Sequence, residues 1–135
     1  MAKNRFYARV SRVENFIVML LTKYSVSANI FTDMLPVTIK SEWNDMVLVD
    51  VGKGTGDNAK ETYSANIFLY GRPLDDLQRK NVRQIDKMEE AVYKAISECH
   101  DSHYHLSINW SDSGYDSTRN FHFNVLNVSI VITEN

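Results

Sequence analysis

At 135 residues the chain is long enough to bury a core without disulfides or a structural metal. Apolar residues make up 44% and charged residues 24%, and fifteen basic against seventeen acidic side chains leave a net charge of −2. That balance argues against a dedicated binder of nucleic acid or of anionic membrane, both of which carry a basic excess.

The first element is a helix. Phe6, Val10, Val13, Ile17, Leu20 and Tyr24 recur at alternating steps of four and three, with Leu21 beside them and Arg5, Arg9, Arg12 and Glu14 off the stripe. The six-residue apolar run Phe16–Leu21 behind Lys3, Arg5, Arg9 and Arg12 has the outline of a signal peptide. It is too short to span a bilayer and no small-residue cleavage site follows, so a cytosolic helix is predicted, stopped by the polar stretch from Ser25 to Asn29.

Period two then takes over. Val37, Ile39, Ser41 and Trp43 alternate with Thr38, Lys40 and Glu42, predicting a strand. After its first residue Asp45–Val51 is apolar except at Asp50, as suits a central strand, and Thr62–Tyr70 alternates with Tyr63, Ala65, Ile67 and Leu69 on one face. Between these lies the polar, glycine-rich segment Gly52–Lys60, expected to be a flexible hairpin loop.

After Gly71-Arg72-Pro73 a second helix is predicted with Val82, Ile85, Met88, Val92, Ile96 and Cys99 inward. Asn81 with Gln84 three residues on resembles a capping box, although Asp75 or Asp76 could start the helix earlier. The last third reads as a hairpin: His103, His105, Ser107 and Asn109 alternate with Tyr104, Leu106, Ile108 and Trp110, and Ser111–Thr118 forms the turn. In the final strand Phe121, Phe123 and Val125 hold one parity while Leu126, Val128, Ile130 and Ile132 hold the other, which predicts a bulge near Val125 and Leu126. The expected fold is one α+β domain over residues 1–135, two helices on a mainly antiparallel sheet in the order α-β-β-β-α-β-β.

No constellation of catalytic residues assembles from this pattern. A phosphate-binding loop needs glycine, four residues, then Gly-Lys-Ser/Thr opening a helix, whereas Gly52-Lys53 is followed by Gly54 and a strand. His103 and His105 share a strand face with His100 near and His122 across the hairpin, but pairing Trp110 near Asn120 would leave His122 only diagonal to His105. Cys99, the single cysteine, can form no intramolecular disulfide, and its apolar helical setting predicts an inert buried thiol. Asp112, Ser113 and Asp116 miss the spacing of a calcium loop, and no elbow motif for a nucleophilic serine is present. Tyr104, Trp110, Phe121 and Phe123 could stack single-stranded bases, but without a basic surround they are expected in core and interface packing. No cofactor, metal site or enzymatic activity is expected.

The Ser41–Gly52 stretch, the glycine-rich loop, the Phe68-Leu69-Tyr70 strand, the Asn81–Cys99 helix and the Asn120–Val125 strand follow an order of elements that resembles small tail-terminator or tail-completion proteins of tailed phages and prophages. The resemblance covers most of the chain. It implies a structural subunit, a tail terminator or head–tail joining protein, that self-associates in a ring, hexameric in the family, and meets tail-tube and neck proteins. Such a protein is cytoplasmic during assembly and part of the virion afterwards, with no membrane and no specific nucleic acid as partner. Mapped residue by residue, Gly52, Lys53, Gly54, Thr55, Gly56, Asp57, Asn58 and Lys60 would form the assembly loop. The alternative is a small cytosolic ligand-binding or metal-dependent hydrolytic domain with a pocket near Tyr104, His105, Trp110 and His122.

Overall fold

The computed structural model describes residues 2–56 and 60–133, with side chains from Val10 onward in the first helix. Two helices and a mixed sheet of six strands make an α+β fold: α1 (Ala2–Lys23), β1 (Ile30–Thr32), β2 (Asp45–Val51), β3 (Thr55–Gly56), β4 (Lys60–Gly71), α2 (Val82–Ser97), β5 (Tyr104–Asp116) and β6 (Phe121–Thr133). The sheet runs β1-β2-β4-β6-β5, with β3 added to β4. Only the β1–β2 pair is parallel; the others are antiparallel.

Helix α1 ends as its sequence suggests. Ser25 takes a left-handed φ of 53°, its N–H donates to the Thr22 carbonyl at 3.0 Å, and the Val26 N–H reaches back to Leu21 at 3.1 Å. That six-to-one closure is a Schellman motif, and Val26 and Leu21 are both buried in the same apolar cluster, completing it. Val13, Ile17, Leu20 and Leu21 are buried as the stripe requires, while Arg5, Phe6 and Arg9 lie among the residues whose side chains are not described. Helix α2 starts at Asn81, whose side chain accepts from the Gln84 N–H at 3.2 Å, so the later of the two proposed starts holds. Val82, expected inward, is exposed because it occupies the first turn; Ile85, Met88, Val92 and Ala95 carry the buried face. Cys99 lies beyond the helix and is half-buried.

Both helices cover one face of the sheet. Rows of side chains cross that face in register, as in Val49–Ile67–Leu126 and Val51–Ala65–Val128, and the helical stripes close over them. Full burial of each such aliphatic side chain is worth about 1.5–3 kcal/mol, so this layer dominates stability. The opposite face carries a second cluster, in which Met46, Tyr70 and Phe121 are buried with Leu35, and Phe31, Leu48, Phe68 and Phe123 pack beside them. No helix covers it. Residues 33–44 fold across it instead.

Four expectations are corrected here. The alternation from Val37 to Trp43 is not a strand: this segment is irregular, and its periodicity arises because Ile39 and Trp43 fold onto the second cluster while Val37 is 99% exposed. The first strand is instead the short β1, which the sequence did not announce. The turn of the last hairpin is Ser117–Asn120, not Ser111–Thr118, with Asn120 at φ 58°. The bulge lies on β5, where Ile108 pairs with Val128 but Trp110 pairs with Asn127; β6 runs unbroken against β4, and its two apolar parities are its two covered faces.

Candidate functional site

The loop singled out from the sequence is more firmly seated than a free hairpin. The Gly52 N–H donates to the Ser64 carbonyl at 2.9 Å, and Thr55 and Gly56 pair with Thr62 and Glu61. Gly54 lies flat against the ring of Tyr63: a Cβ there would stand 2.2 Å from a ring carbon. Tyr63 is itself buried and donates from its hydroxyl to Glu61 Oε1 at 2.8 Å. Asp57 and Asn58 lie outside the described residues, whereas Lys53 and Lys60 are exposed at either end.

The four residues of the alternative pocket are not brought together. Tyr104 turns to the helix side and stacks on Phe16 with ring centroids 4.2 Å apart. His105 pairs with Val131 and His122 with Tyr115, so nine residues of β6, roughly 30 Å at the rise of a strand, separate the two imidazoles. Their own partners differ as well: His105 Nε2 meets Thr133 Oγ1 at 3.2 Å and His122 Nε2 meets the Gln78 carbonyl at 2.7 Å. Trp110, which the bulge turns away from Ile108, is about half exposed on the face without helices. Among the described residues no group of three or more His, Cys, Asp or Glu side chains could hold a metal ion, and no helix is long and apolar enough to cross a membrane.

Hollows open elsewhere among the described residues. One of about 310 Å³ lies between the helix C-termini, lined by Phe16, Met19, Lys23, Tyr24, Cys99 and His100 among others, with the Tyr24 hydroxyl donating to Glu98 at 2.9 Å. That bond, with partial desolvation behind it, holds the Tyr24 phenol above its ordinary pKa. Another, about 350 Å³, surrounds the buried Asn124, whose oxygen accepts from Lys80 at 2.7 Å and whose amide donates to Glu89 at 3.0 Å. Each hollow has its charged groups already engaged with protein partners.

The more distinctive surface is the one sequence periodicity concealed. Residues 33–44 and 72–81 meet at Arg72, whose guanidinium donates to the carbonyls of Trp43 at 2.6 Å and Lys40 at 2.9 Å and lies 4.8 Å from the Phe121 ring centroid. Leu35 anchors the first of these segments in the second cluster. Outside that anchor the two loops present Met34 (70% exposed), Val37 (99%), Leu74 (59%) and Leu77 (78%) to solvent. Exposed apolar side chains on braced loops have the composition of a partner surface. Beside them the helix-free face turns polar: Asn127 donates to Asn66 at 2.9 Å and to Ser64 at 3.1 Å, and Asn109 donates to Asn127 at 2.8 Å and Ser129 at 2.7 Å. This amide row ties β4, β6 and β5 together across the face.

Comparison with protein-family models and with curated proteins returns no match to this chain.

Proposed function

We propose that this chain is a structural subunit of phage-tail assembly, a tail terminator or head–tail joining protein that works by closing into a ring with copies of itself. The observation that carries the reading is the set of four exposed apolar side chains on two loops, Met34 and Val37 on the segment that folds across the helix-free sheet face and is tied to Arg72 at Lys40 and Trp43, and Leu74 and Leu77 on the segment that follows Arg72. A subunit that never meets a neighbour gains nothing by bracing Val37 and Leu77 in water; a ring subunit buries them in the head-to-tail contact. The role is architectural, without catalysis or cofactor, and the setting is the cytoplasm during assembly and the virion afterwards. Gly52–Gly56, held against β4, would take part in the contact with the next subunit or the tail tube.

The test is mass photometry and negative-stain microscopy of the protein alone and with tail tubes from the phage whose head and tail genes flank its own. Rings, or caps on tube ends, are expected, and Val37→Asp with Leu77→Asp should abolish them while leaving circular dichroism unchanged. A chain that stays monomeric alone and ignores tubes, or one whose gene lies among no head or tail genes, overturns the reading.

A further inference from the structure

Strand β5 is the long edge of the sheet: thirteen residues, Tyr104–Asp116, bonded to β6 on one side and without a strand partner on the other among the described residues. In an antiparallel ladder successive residues turn their backbone groups alternately toward the partner strand and away from it. The Thr133 N–H donates to the His103 carbonyl at 2.9 Å, which sets the phase: His103, His105 and Ser107 face β6, whereas Tyr104, Leu106 and Ile108 face outward. At Asn109 the register slips by one residue, and beyond it the phase is reversed. The outward set therefore continues as Ser111, Ser113 and Tyr115. The Ser113 N–H agrees with this assignment, being taken by the Asp112 carboxylate at 2.8 Å rather than by β6, while at the start of the strand Asp101 takes the N–H groups of both His103 and Tyr104, at 2.8 and 2.9 Å.

The outward residues are thus arranged symmetrically about the Asn109–Trp110 peptide: Ile108 and Ser111 flank it, then Leu106 and Ser113, then Tyr104 and Tyr115. We propose that a second copy of this chain pairs antiparallel along β5 about a two-fold axis at that peptide, with Ile108 opposite the copy's Ser111 and Leu106 opposite its Ser113. A strand without the slip can match the outward groups on only one side of Asn109, because its own alternation never changes phase. A second copy carries the same extra residue at the same place. The bulge that blunts this edge toward arbitrary strands is what selects a copy.

Three further features fit the register. All six outward residues lie on the helix-covered side of β5, so pairing leaves the helix layers of both copies on the same side of a continuous sheet, as correct register demands. An imidazole, His105, stands near one end of the strand and a carboxylate, Asp112, toward the other, and the antiparallel arrangement sets His105 diagonal to the copy's Asp112. No lysine, arginine or proline stands on β5 to resist pairing. Trp110, about half exposed, falls beside the axis against the copy's Asn109. The contact is isologous and distinct from the head-to-tail contact that closes a ring, so it stands or falls separately from that reading.

Amide hydrogen exchange measured at low and high protein concentration, with sedimentation equilibrium alongside, tests the pairing. The amides of Leu106, Ile108 and Ser111 should gain protection as concentration rises, while those of His105 and Ser107, already bonded to β6, should not change. His105→Asp places a carboxylate diagonal to Asp112 in both halves of the contact and should weaken the dimer by about tenfold. His105→Asp with Asp112→Lys restores opposite charges and should recover it, a rescue that a folding defect would not give. A monomer up to the solubility limit, an association that leaves the outward amides exchanging freely, or a double variant no tighter than the single one overturns the proposal. Rings with unprotected β5 amides would overturn it while leaving the tail reading intact; β5 protection without rings does the reverse.

Discussion

Replacing Gly54 by alanine separates a seated loop from a free one by the sign of the effect. Where a glycine has an ordinary backbone conformation and open space, alanine stabilises a protein by about 0.4–1 kcal/mol through loss of unfolded-chain entropy. Gly54 meets the first condition, since no glycine among the described residues has a positive φ. It fails the second. The new Cβ would stand 2.2, 2.5 and 2.7 Å from three ring atoms of Tyr63, against a normal carbon–carbon contact of about 3.5–4.0 Å. Tyr63 cannot swing aside freely, because it is buried beneath the loop and its hydroxyl is bonded to Glu61. Overpacking of this kind costs about 1–3 kcal/mol, so Gly54→Ala should destabilise despite the entropy gain. Gly52 is the internal control: its nearest neighbour would be the Ser64 oxygen at 3.5 Å, an ordinary contact, and Gly52→Ala should stabilise by about 0.4–1 kcal/mol. Urea unfolding followed by far-ultraviolet circular dichroism, with slopes checked for constancy, gives both differences. A Gly54→Ala protein as stable as the wild type would mean that the loop does not rest on Tyr63.

Three other outcomes are expected. Asn81→Ala should cost about 1 kcal/mol in the same unfolding assay, because the Gln84 N–H loses its cap at the start of α2. Arg72→Lys should loosen residues 33–44, since an ammonium cannot reproduce the planar fork that reaches both Trp43 and Lys40; limited proteolysis should cut this segment several times faster than in the wild type, with α2 unaffected. Asp101 accepts from the backbone N–H groups of Tyr104 and His103, which hold its carboxyl below the ordinary 3.8. A lowered folded pKa gives stability that is complete above the ordinary value and lost as pH falls through the folded one, so the advantage of wild type over Asp101→Asn, read as the difference in Tm, should shrink on acidification below about pH 4.

What could be read from the residues in advance depended on how many surfaces each element buries. The helices bury one stripe apiece, so Val13, Ile17, Ile85 and Val92 declared themselves through spacing. Strand β6 buries both faces, and a reading that allows one covered face turns its two parities into an imagined bulge near Val125. Strand β1 has three residues and exists only through its pairing with β2, a tertiary fact no local pattern carries. The Ser-Asp-Ser-Gly stretch has turn composition yet remains strand, because the ring of Phe123 lies against Gly114 and supplies the packing that glycine lacks. The braced apolar loops were missed for a related reason. Val37 looked like a strand residue sharing a face with Ile39 and Trp43, and only the folded segment, in which Ile39 and Trp43 turn onto the second cluster, shows it exposed.

The double burial of β6 also governs how the chain reaches its fold. From Phe121 to Thr133 the strand carries no acidic side chain and no lysine, arginine or proline, and it is rich in β-branched residues. Uncovered, such a segment is a template for intermolecular stacking. Its central neighbour β4 lies some sixty positions away in sequence, so that pairing must wait for a long loop to close. β5, joined to it by the four-residue Ser117–Asn120 turn, can arrive far sooner. The polar edge strand is thus placed to shield one margin of β6 before the rest of the sheet closes. Refolding yield should accordingly depend more on the integrity of that turn than native stability does.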